Sequence, residues 1–335
     1  MAACFTRDLL LKKRVLKTGL LAAFVAMTSL LTSAYADTYP SQPIRMVVAF
    51  APGGGTDILG RLAAKGISDV LGANVVVENR AGGGGAVGTS LVAKATPDGY
   101  TLITSGTGAH AINPALYPNL AYDSIKDFEA VSLIAKSPYL MLVSKDLPVT
   151  TVQEFIELAK RQPGGLTMAS SGNGGMPHLA GELFQLMTGI KLVHAPYKGT
   201  GVVFPDLISG RVQVTFADIA AAYPHIQAGN IRVIGISSPQ RSAAYPEVPA
   251  IAETVPGYDA VGWFAVFAPV GTSDAIVQKL SRAISQFIVR PELGKQLSVL
   301  GVEPVGSTPE ALAKVLREDL KRWARVVKES GAKVD

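Results

Sequence analysis

Val47–Asp57 reads VVAFAPGGGTD, an apolar run that ends in three glycines and leads into a helix. Residues 46–50 have the composition of a buried strand, and apolar residues recur at helical spacing from Ile58 to Val70. Glycines at such a turn let the backbone approach a ligand closely. The first N–H groups of the helix have no partner within it and serve as donors for an anion. The stretch therefore predicts a small-anion site where the first strand ends.

Strand-like and helix-like segments alternate from Pro43 onward, which predicts an α/β fold with mostly parallel sheets. The strand candidates are 44–50, 74–78, 100–104, 139–144, 166–169, 192–194, 212–216, 231–236 and 261–267. The helix candidates are 56–71, 86–94, 151–161, 177–188, 201–209, 219–228, 273–289, 292–299 and 309–329.

About 300 residues follow the N-terminal leader, a length that favours two lobes over one. Candidate crossings between the lobes lie near Ser137-Pro138 and near Gly262-Trp263. They predict a discontinuous first lobe, residues 37–138 with 263–335, and a second lobe of residues 139–262. A ligand would then bind between the lobes, where strand ends face a crevice.

The N-terminus has the features of a secretory signal peptide. Residues 1–17 carry five basic residues and one acidic residue, and an apolar segment runs from Leu20 to Leu31. Ala34-Tyr35-Ala36 fits the small-x-small cleavage pattern, so residues 1–36 are predicted to be removed after Ala36. The apolar segment is shorter than the roughly 20 residues that a membrane span needs. The protein is therefore expected to be exported.

Charge and cysteine content exclude several functions. The whole chain has 31 basic and 26 acidic residues, but only 26 basic and 25 acidic residues follow Ala36. No basic cluster remains for binding nucleic acid. The only cysteine, Cys4, lies in the leader, so no disulfide, thiolate nucleophile or cysteine-bound metal is expected. Metal-site and hydrolase motifs such as HExxH and GxSxG do not occur, and the prediction is of no catalytic residue, no metal and no cofactor.

The glycine-rich turns depart from the nucleotide-binding patterns. The spacing Gly53-x-Gly55-x-x places Ile58 where a dinucleotide fingerprint needs a third glycine. Gly83 and Gly88 have the spacing of a phosphate loop, but Thr89 occupies the position of the essential lysine. NAD and nucleoside triphosphates are therefore not expected as ligands.

Two further turns rich in hydroxyls and glycines follow predicted strands, at 104–108 and 169–175. Each is suited to hydrogen-bonding a carboxylate. The glycine turn at 53–55 and the turn at 169–175, facing each other, could hold the two ends of a small diacid. His110 and His178 lie close to these turns. A histidine without a positioned nucleophile is weak evidence for catalysis, so structural roles are favoured, while an exported α/β hydrolase or isomerase using either histidine remains the alternative.

A series of ordered motifs covers the chain from about residue 38 to 331. They are Tyr39-Pro40, Pro43-Ile44-Arg45, PGGGTD at 52–57, ENR at 78–80, PDGYTL at 97–102, HAINP at 110–114, ASSGNG at 169–174, HLAGELF at 178–184, PYKG at 196–199 and WF at 263–264. In this order and spacing, the chain resembles the periplasmic solute-binding receptors of tripartite tricarboxylate transporters, the Bug or TctC-type family.

The resemblance implies a two-lobed Venus-flytrap fold with a mixed, mostly parallel sheet in each lobe. It implies a periplasmic monomer without catalytic activity that captures a small mono-, di- or tricarboxylate or an acidic amino acid. The partners would be membrane transporter subunits. The ligand-binding residues carried over from the family are Phe50, Gly53, Gly54, Gly55, Thr56, Asp57, Thr104, Ser105, Thr107, Ser170, Ser171, Asn173, Tyr197 and Asp218.

Two departures from the family pattern leave the identity of the ligand open. Gly201-Val202-Val203-Phe204 replaces a common Pro-Ala pair, and Ala217 stands where the family usually has Asp. Phe204 is expected to make the distal pocket less polar or bulkier, and selectivity is expected at these two positions. Asp57 is interpreted as a cap that orders the first turn.

Overall fold

The computed structural model describes residues 39–50, 52–53, 55–197, 200–299 and 301–333. The predicted signal peptide and its cleavage site after Ala36 lie outside these residues. Among the helices described, none is both long enough and apolar enough to cross a membrane.

In the described part of the chain, eleven strands form two sheets. The strands are β1 (Ile44–Val48), β2 (Val75–Asn79), β3 (Thr101–Gly106), β4 (Phe128–Ser137), β5 (Tyr139–Ser144), β6 (Thr167–Ser170), β7 (Val193–Pro196), β8 (Val214–Asp218), β9 (Ile231–Ile236), β10 (Gly262–Pro269) and β11 (Glu303–Pro304). The first sheet has the order β11-β4-β10-β3-β1-β2, and the second has the order β7-β6-β8-β5-β9.

Helices connect and cover the strands, and several begin with side-chain caps. Thr151 and Glu154 form a reciprocal capping box, and the Thr308 side chain caps the last helix. The α-helices are α1 (Gly55–Leu71), α2 (Ala86–Ala93), α3 (Asn113–Leu116), α4 (Val152–Arg161), α5 (Met176–Thr188), α6 (Phe204–Ile208), α7 (Ile219–Gln227), α8 (Asp274–Ile288), α9 (Pro291–Val299) and α10 (Pro309–Ser330).

Both sheets are mixed, which confirms the predicted α/β class. Strands β1–β3 pair in parallel, as do β6–β8, while β4, β5, β9, β10 and β11 pair antiparallel with their neighbours. In the first sheet β1–β4 run in one direction and β10 and β11 in the other. In the second sheet β5 runs opposite to β6–β9. Most strands of each sheet therefore share one direction, as the sequence predicted.

Strand β4 was not among the predicted strands, although it is ten residues long. Its segment Val131–Ala135 is buried throughout, because helices α8 and α10 pack against β4. A strand with both faces covered loses the alternation of apolar and polar residues that identifies a strand in a sequence. The missed prediction follows from this burial.

The chain passes between the sheets at residues 137–139 and again at 258–262, which together we call the chain crossing. Gly262 pairs with Ser137 at the ends of β10 and β4, so the two passages lie side by side. Helix α10 packs against β4 of the first sheet and against α5, which follows a strand of the second sheet. Its Trp323 is fully buried in the core. The exact division into lobes stays a prediction.

Candidate functional site

The parallel strands of both sheets end beside the chain crossing. β3 ends at Gly106, which pairs with Phe264 near the start of β10. In the second sheet β8 ends at Asp218, which pairs with Tyr139, the first residue of β5. The turns that follow β1, β3, β6 and β8 therefore lie at the sheet ends next to the crossing. In open α/β sheets, the crevice outside these strand ends is where ligands bind.

The turn after β1 is shaped by its glycines. Gly53 has a φ of 86°, a conformation that side chains rarely adopt. A Cβ atom at Gly55 would lie 3.2 Å from the Cζ atom of Phe264, so the start of α1 sits directly on that ring. Thr56 is buried in the first turn of the helix. Gly54, the remaining predicted glycine, lies outside the described residues.

The Asp57 carboxylate stabilises this turn by accepting hydrogen bonds from it. Its Oδ2 accepts hydrogen bonds from the backbone N–H of Gly53 at 2.9 Å and from Arg61 Nε at 3.1 Å. The Asn79 amide donates to Asp57 Oδ1 and to the carbonyl oxygen of Phe50, each at 2.9 Å. Burial alone would raise the pKa of Asp57, but these hydrogen bonds hold it below its usual value. Both carboxylate oxygens thus bind the protein, as expected for the cap.

Side chains of the turn after β3 are also engaged internally. Thr104 Oγ1 lies 3.1 Å from Met46 Sδ in the interior, and Thr107 Oγ1 accepts a hydrogen bond from the backbone N–H of Trp263 at 2.8 Å. The fully buried Ser105 Oγ lies 3.0 Å from His110 Nδ1. These three hydroxyls therefore have partners inside the protein, and their role in ligand binding stays a prediction.

His110 lies in the hydrophobic core, fully buried. Its ring stacks on Phe267 at 3.9 Å and meets the edge of Phe128 at 4.9 Å. Burial lowers the pKa of His110 to about 3, so the imidazole is neutral at physiological pH. This position argues against the alternative in which His110 acts on a substrate, because a general base must reach the proton it abstracts.

Ser170 ends β6 and orders the second-sheet turn. Its hydroxyl donates to the carbonyl oxygen of Gly172, accepts from the Gly172 N–H, and lies 2.7 Å from His194 Nε2. The turn itself uses glycine conformations, with φ values of 133° at Gly172 and 74° at Gly174. Ser171 and Asn173, the other predicted side chains, are partly exposed beside this buried anchor.

Two stacked imidazoles support the same turn. The rings of His178 and His194 lie 3.8 Å apart and nearly parallel. His178 Nδ1 accepts a hydrogen bond from the Gly174 N–H at 3.1 Å, and its Nε2 lies 3.4 Å from Glu182. Burial, with His178 alongside, lowers the pKa of His194 to about 4. His178 thus has both nitrogens engaged, which favours the structural role over the catalytic alternative.

Tyr197 and Asp218, the last two predicted residues, also have internal partners. Tyr197 Oη donates to Asp206 Oδ2 at 2.6 Å, and this carboxylate pairs with Arg211 through its other oxygen. The hydrogen bond to Asp206 raises the pKa of the Tyr197 phenol. Asp218 Oδ1 accepts from the backbone N–H of Ala221 and so caps α7.

The expectation that Phe204 shapes the distal pocket is wrong. Phe204 is buried in the core of the second-sheet region and stacks on His225 at 4.3 Å. Ala217 is fully buried in the same cluster, because residues of a strand alternate between its faces and Ala217 points away from Asp218. Both departures from the family pattern therefore change packing in the core.

Sequence reasoning missed Asn79 and Phe264 as site residues. Asn79 ties the end of β1 to the cap of α1, and Phe264 forms the support on which Gly55 rests. Each belongs to a short motif, ENR at 78–80 and WF at 263–264, whose role could not be assigned without the strand order. The pairing of β1 with β2 and of β3 with β10 brings both residues to the turn.

These features, two mixed sheets whose strand ends meet at a double chain crossing, define an α/β binding-protein fold. A family model described as the tripartite tricarboxylate transporter family receptor matches residues 59–332. Protein BugT of Bordetella pertussis is 37% identical over 318 residues, which cover 94% of this chain and 98% of that protein. The chain belongs to this receptor family, the Bug or TctC-type solute-binding receptors.

Solved structures show the same fold. An R. palustris protein solved with adipate is 37% identical, with a TM-score of 0.80 over 88% of this chain and 100% of that chain. MatC from Rhodopseudomonas palustris, solved with bound malate, is 32% identical, with a TM-score of 0.76 over 86% of this chain and 100% of that chain. Both of these similar proteins were therefore solved with dicarboxylates.

Proposed function

We propose that this protein is a periplasmic, monomeric receptor that captures a small carboxylate and delivers it to the membrane subunits of a tripartite tricarboxylate-type transporter. In this proposal it performs no catalysis. The ligand carboxylate binds at the turn after β1, and the second-sheet turn after β6 contacts the rest of the ligand.

One observation carries the proposal: the polar side chains of both turns bind the turns themselves. Asp57 and Ser170 have their oxygens engaged by neighbouring backbone and side-chain groups. The first-turn N–H groups of α1 and α5 then remain as donors. Such donors, with the positive end of the helix dipole, suit an anion and need no salt bridge. Adipate and malate in two similar proteins are anions of this kind.

A ligand screen tests the carboxylate class. The purified mature protein is heated with citrate, C4 dicarboxylates, aromatic carboxylates and acidic amino acids, and its unfolding temperature is measured. A ligand at roughly 100 times its Kd should stabilise the protein by about 2.7 kcal/mol. Intact-mass measurement after gentle purification would detect a retained acid. A screen in which only uncharged solutes stabilise the protein would refute the proposal.

Two matched glycine variants test the location of the site. Gly53→Ala and Gly72→Ala both place a side chain at positive φ, 86° and 67°, with no atom within 4 Å of the new Cβ. Both should lose about 1–2 kcal/mol of unfolding free energy through backbone strain. Only Gly53→Ala should weaken binding of the carboxylate found in the screen. Equal affinity in the two variants would exclude the first turn as the site.

A further inference from the structure

We propose that Tyr139 determines ligand specificity in this crevice: its hydroxyl binds the far end of the ligand beside Asp218 and selects a hydroxyl or carboxamide there over a second carboxylate. This inference rests on the proposed function, because it assigns the other end of the same bound carboxylate. Tyr139 is not among the residues carried over from the family motifs.

Tyr139 stands at the centre of the chain crossing. It is the first residue of β5, directly after the passage from the first sheet. Its Oη and Cε2 lie 3.1 and 3.2 Å from the position that a Cβ atom would take at Gly262. The ring therefore lies against the second passage, and the absence of a side chain at Gly262 is what makes room for it.

The backbone of Tyr139 is fixed while its hydroxyl is left without a partner. The N–H donates to Ser237 Oγ and the carbonyl oxygen accepts from the Ser237 N–H, each at 2.8 Å. Among the described residues, no group hydrogen-bonds the phenol oxygen. Burial, with Asp218 nearby, raises the pKa of Tyr139, so the phenol keeps its proton and donates. A hydroxyl without a protein partner is free to donate to a ligand that supplies an acceptor.

Strand alternation places Tyr139 with the residues of the second-sheet turn. Tyr139 and Asp218 are directly opposed in an antiparallel pair, so their side chains project from one face, with Cβ atoms about 5 Å apart. Ala169 pairs with Thr215, which puts Ser170 level with Phe216 and on the same face as Asp218. The end of the ligand that reaches the second sheet therefore meets Tyr139 and Asp218 together.

The charge of Asp218 decides which group fits beside the phenol. One oxygen of this carboxylate caps α7 by accepting from the Ala221 N–H. A ligand carboxylate at this place would stand next to a like charge in a partly desolvated crevice, which disfavours it. A hydroxyl or a carboxamide can accept from Tyr139 and also donate to Asp218. The pair therefore fits a monocarboxylate with such a polar far end.

Calorimetric titration with matched acids tests the inference. The probes are butyrate, 4-hydroxybutyrate and succinate, with the corresponding five- and six-carbon sets. At the length that fits, the hydroxy acid should bind wild type more tightly than the plain acid or the dicarboxylate. Tyr139→Phe, which removes only the hydroxyl, should lower the affinity for the hydroxy acid about 5–10-fold and the affinity for the plain acid less than 2-fold. Tyr223→Phe, which changes an exposed tyrosine on α7, should leave both affinities unchanged.

A second variant tests the selection against dicarboxylates. Asp218→Asn keeps an oxygen that can cap α7 but removes the charge. It should raise the affinity for the dicarboxylate relative to the hydroxy acid about 10-fold. An unchanged ratio, or a Tyr139→Phe protein with wild-type affinity for the hydroxy acid, would overturn the inference while the proposed function stands. If wild type binds none of the nine acids and nothing in the wider screen, the proposed function fails as well.

Discussion

At the scale of single residues, several polar side chains of the predicted site form hydrogen bonds within the turns that carry them. Asp57 is engaged by Gly53, Arg61 and Asn79, and Ser170 by its own turn. Under the proposed function, backbone groups held in place by these side chains would bind the ligand carboxylate. Substitutions at the supporting residues should therefore weaken both the fold and the binding.

Asn79 provides the clearest test of such support. Asn79→Ala removes the donor to Phe50 O and one of two partners of Asp57 Oδ1, which Arg61 still contacts at 3.0 Å. A lost hydrogen bond of this kind costs about 0.5–1.5 kcal/mol. We expect a loss of this size in the unfolding free energy measured with urea, together with weaker carboxylate binding. Lys65→Ala, which breaks an exposed ion pair on α1, should cost less than about 0.5 kcal/mol. Similar losses in both variants would contradict the assigned role.

The buried His110 should make stability depend on pH. Its pKa is lowered to about 3 in the folded protein, against about 6.5 in the unfolded chain. As the pH falls below about 6.5, the unfolded state takes up a proton that the folded state refuses, so stability decreases toward pH 3. This histidine contributes a slope of up to about 1.4 kcal/mol per pH unit. The unfolding free energy of His110→Leu, measured between pH 5 and 6.5, should depend less steeply on pH than that of wild type. An unchanged pH dependence would contradict the assignment.

At the scale of elements, the close approach of β3 and β10 positions the turn after β3. A Cβ atom at Gly106 would lie 2.4 Å from the carbonyl oxygen of Trp263, a contact with rigid backbone. Two residues later, Gly108 has no atom within 4 Å of the same position. The two glycines therefore differ in what surrounds them, although only one residue separates them in the chain.

Gly106→Ala should force β3 and β10 apart and destabilise the protein by about 1–3 kcal/mol, the range for overpacked sites. Gly108→Ala meets no obstacle and should be neutral or stabilising by up to about 1 kcal/mol. Thermal unfolding of both variants measures the difference. Equal stabilities would show that the strands adapt to the added methyl group at no cost.

The sequence predicted local features well and failed where burial or long-range pairing decides. The helix candidates 151–161 and 309–329 depend on local patterns, and they match α4 and α10 to within one residue at each end. β4 was missed because helices cover both of its faces. The position of Phe204 was predicted wrongly, because the direction in which its side chain leaves the helix depends on packing against His225. The support of Gly55 by Phe264 joins residues some 200 positions apart, and no local pattern reports such a contact.

At the scale of the whole molecule, α10 holds the chain crossing. Trp263 Nε1 donates to the buried Asp319 Oδ2 at 2.6 Å, and Arg322 pairs with Asp259 Oδ2 at 3.2 Å. The second passage is thereby attached to a helix that also packs against β4 and α5. Burial raises the pKa of Asp319 despite the hydrogen bond from Trp263. The hydrogen bond from the Trp263 indole therefore favours the charged form of Asp319, which burial disfavours.

Trp263→Phe should remove the hydrogen bond while keeping much of the aromatic volume. It leaves Asp319 buried without the indole partner, and we expect a loss of about 1–3 kcal/mol in unfolding free energy. Arg325→Gln, which breaks an exposed pair with Glu329 on the same helix, should change stability by less than about 1 kcal/mol. A double-mutant cycle with Asp319→Asn measures the coupling directly. A coupling energy near zero would mean that packing of α10 alone, without this hydrogen bond, holds the crossing.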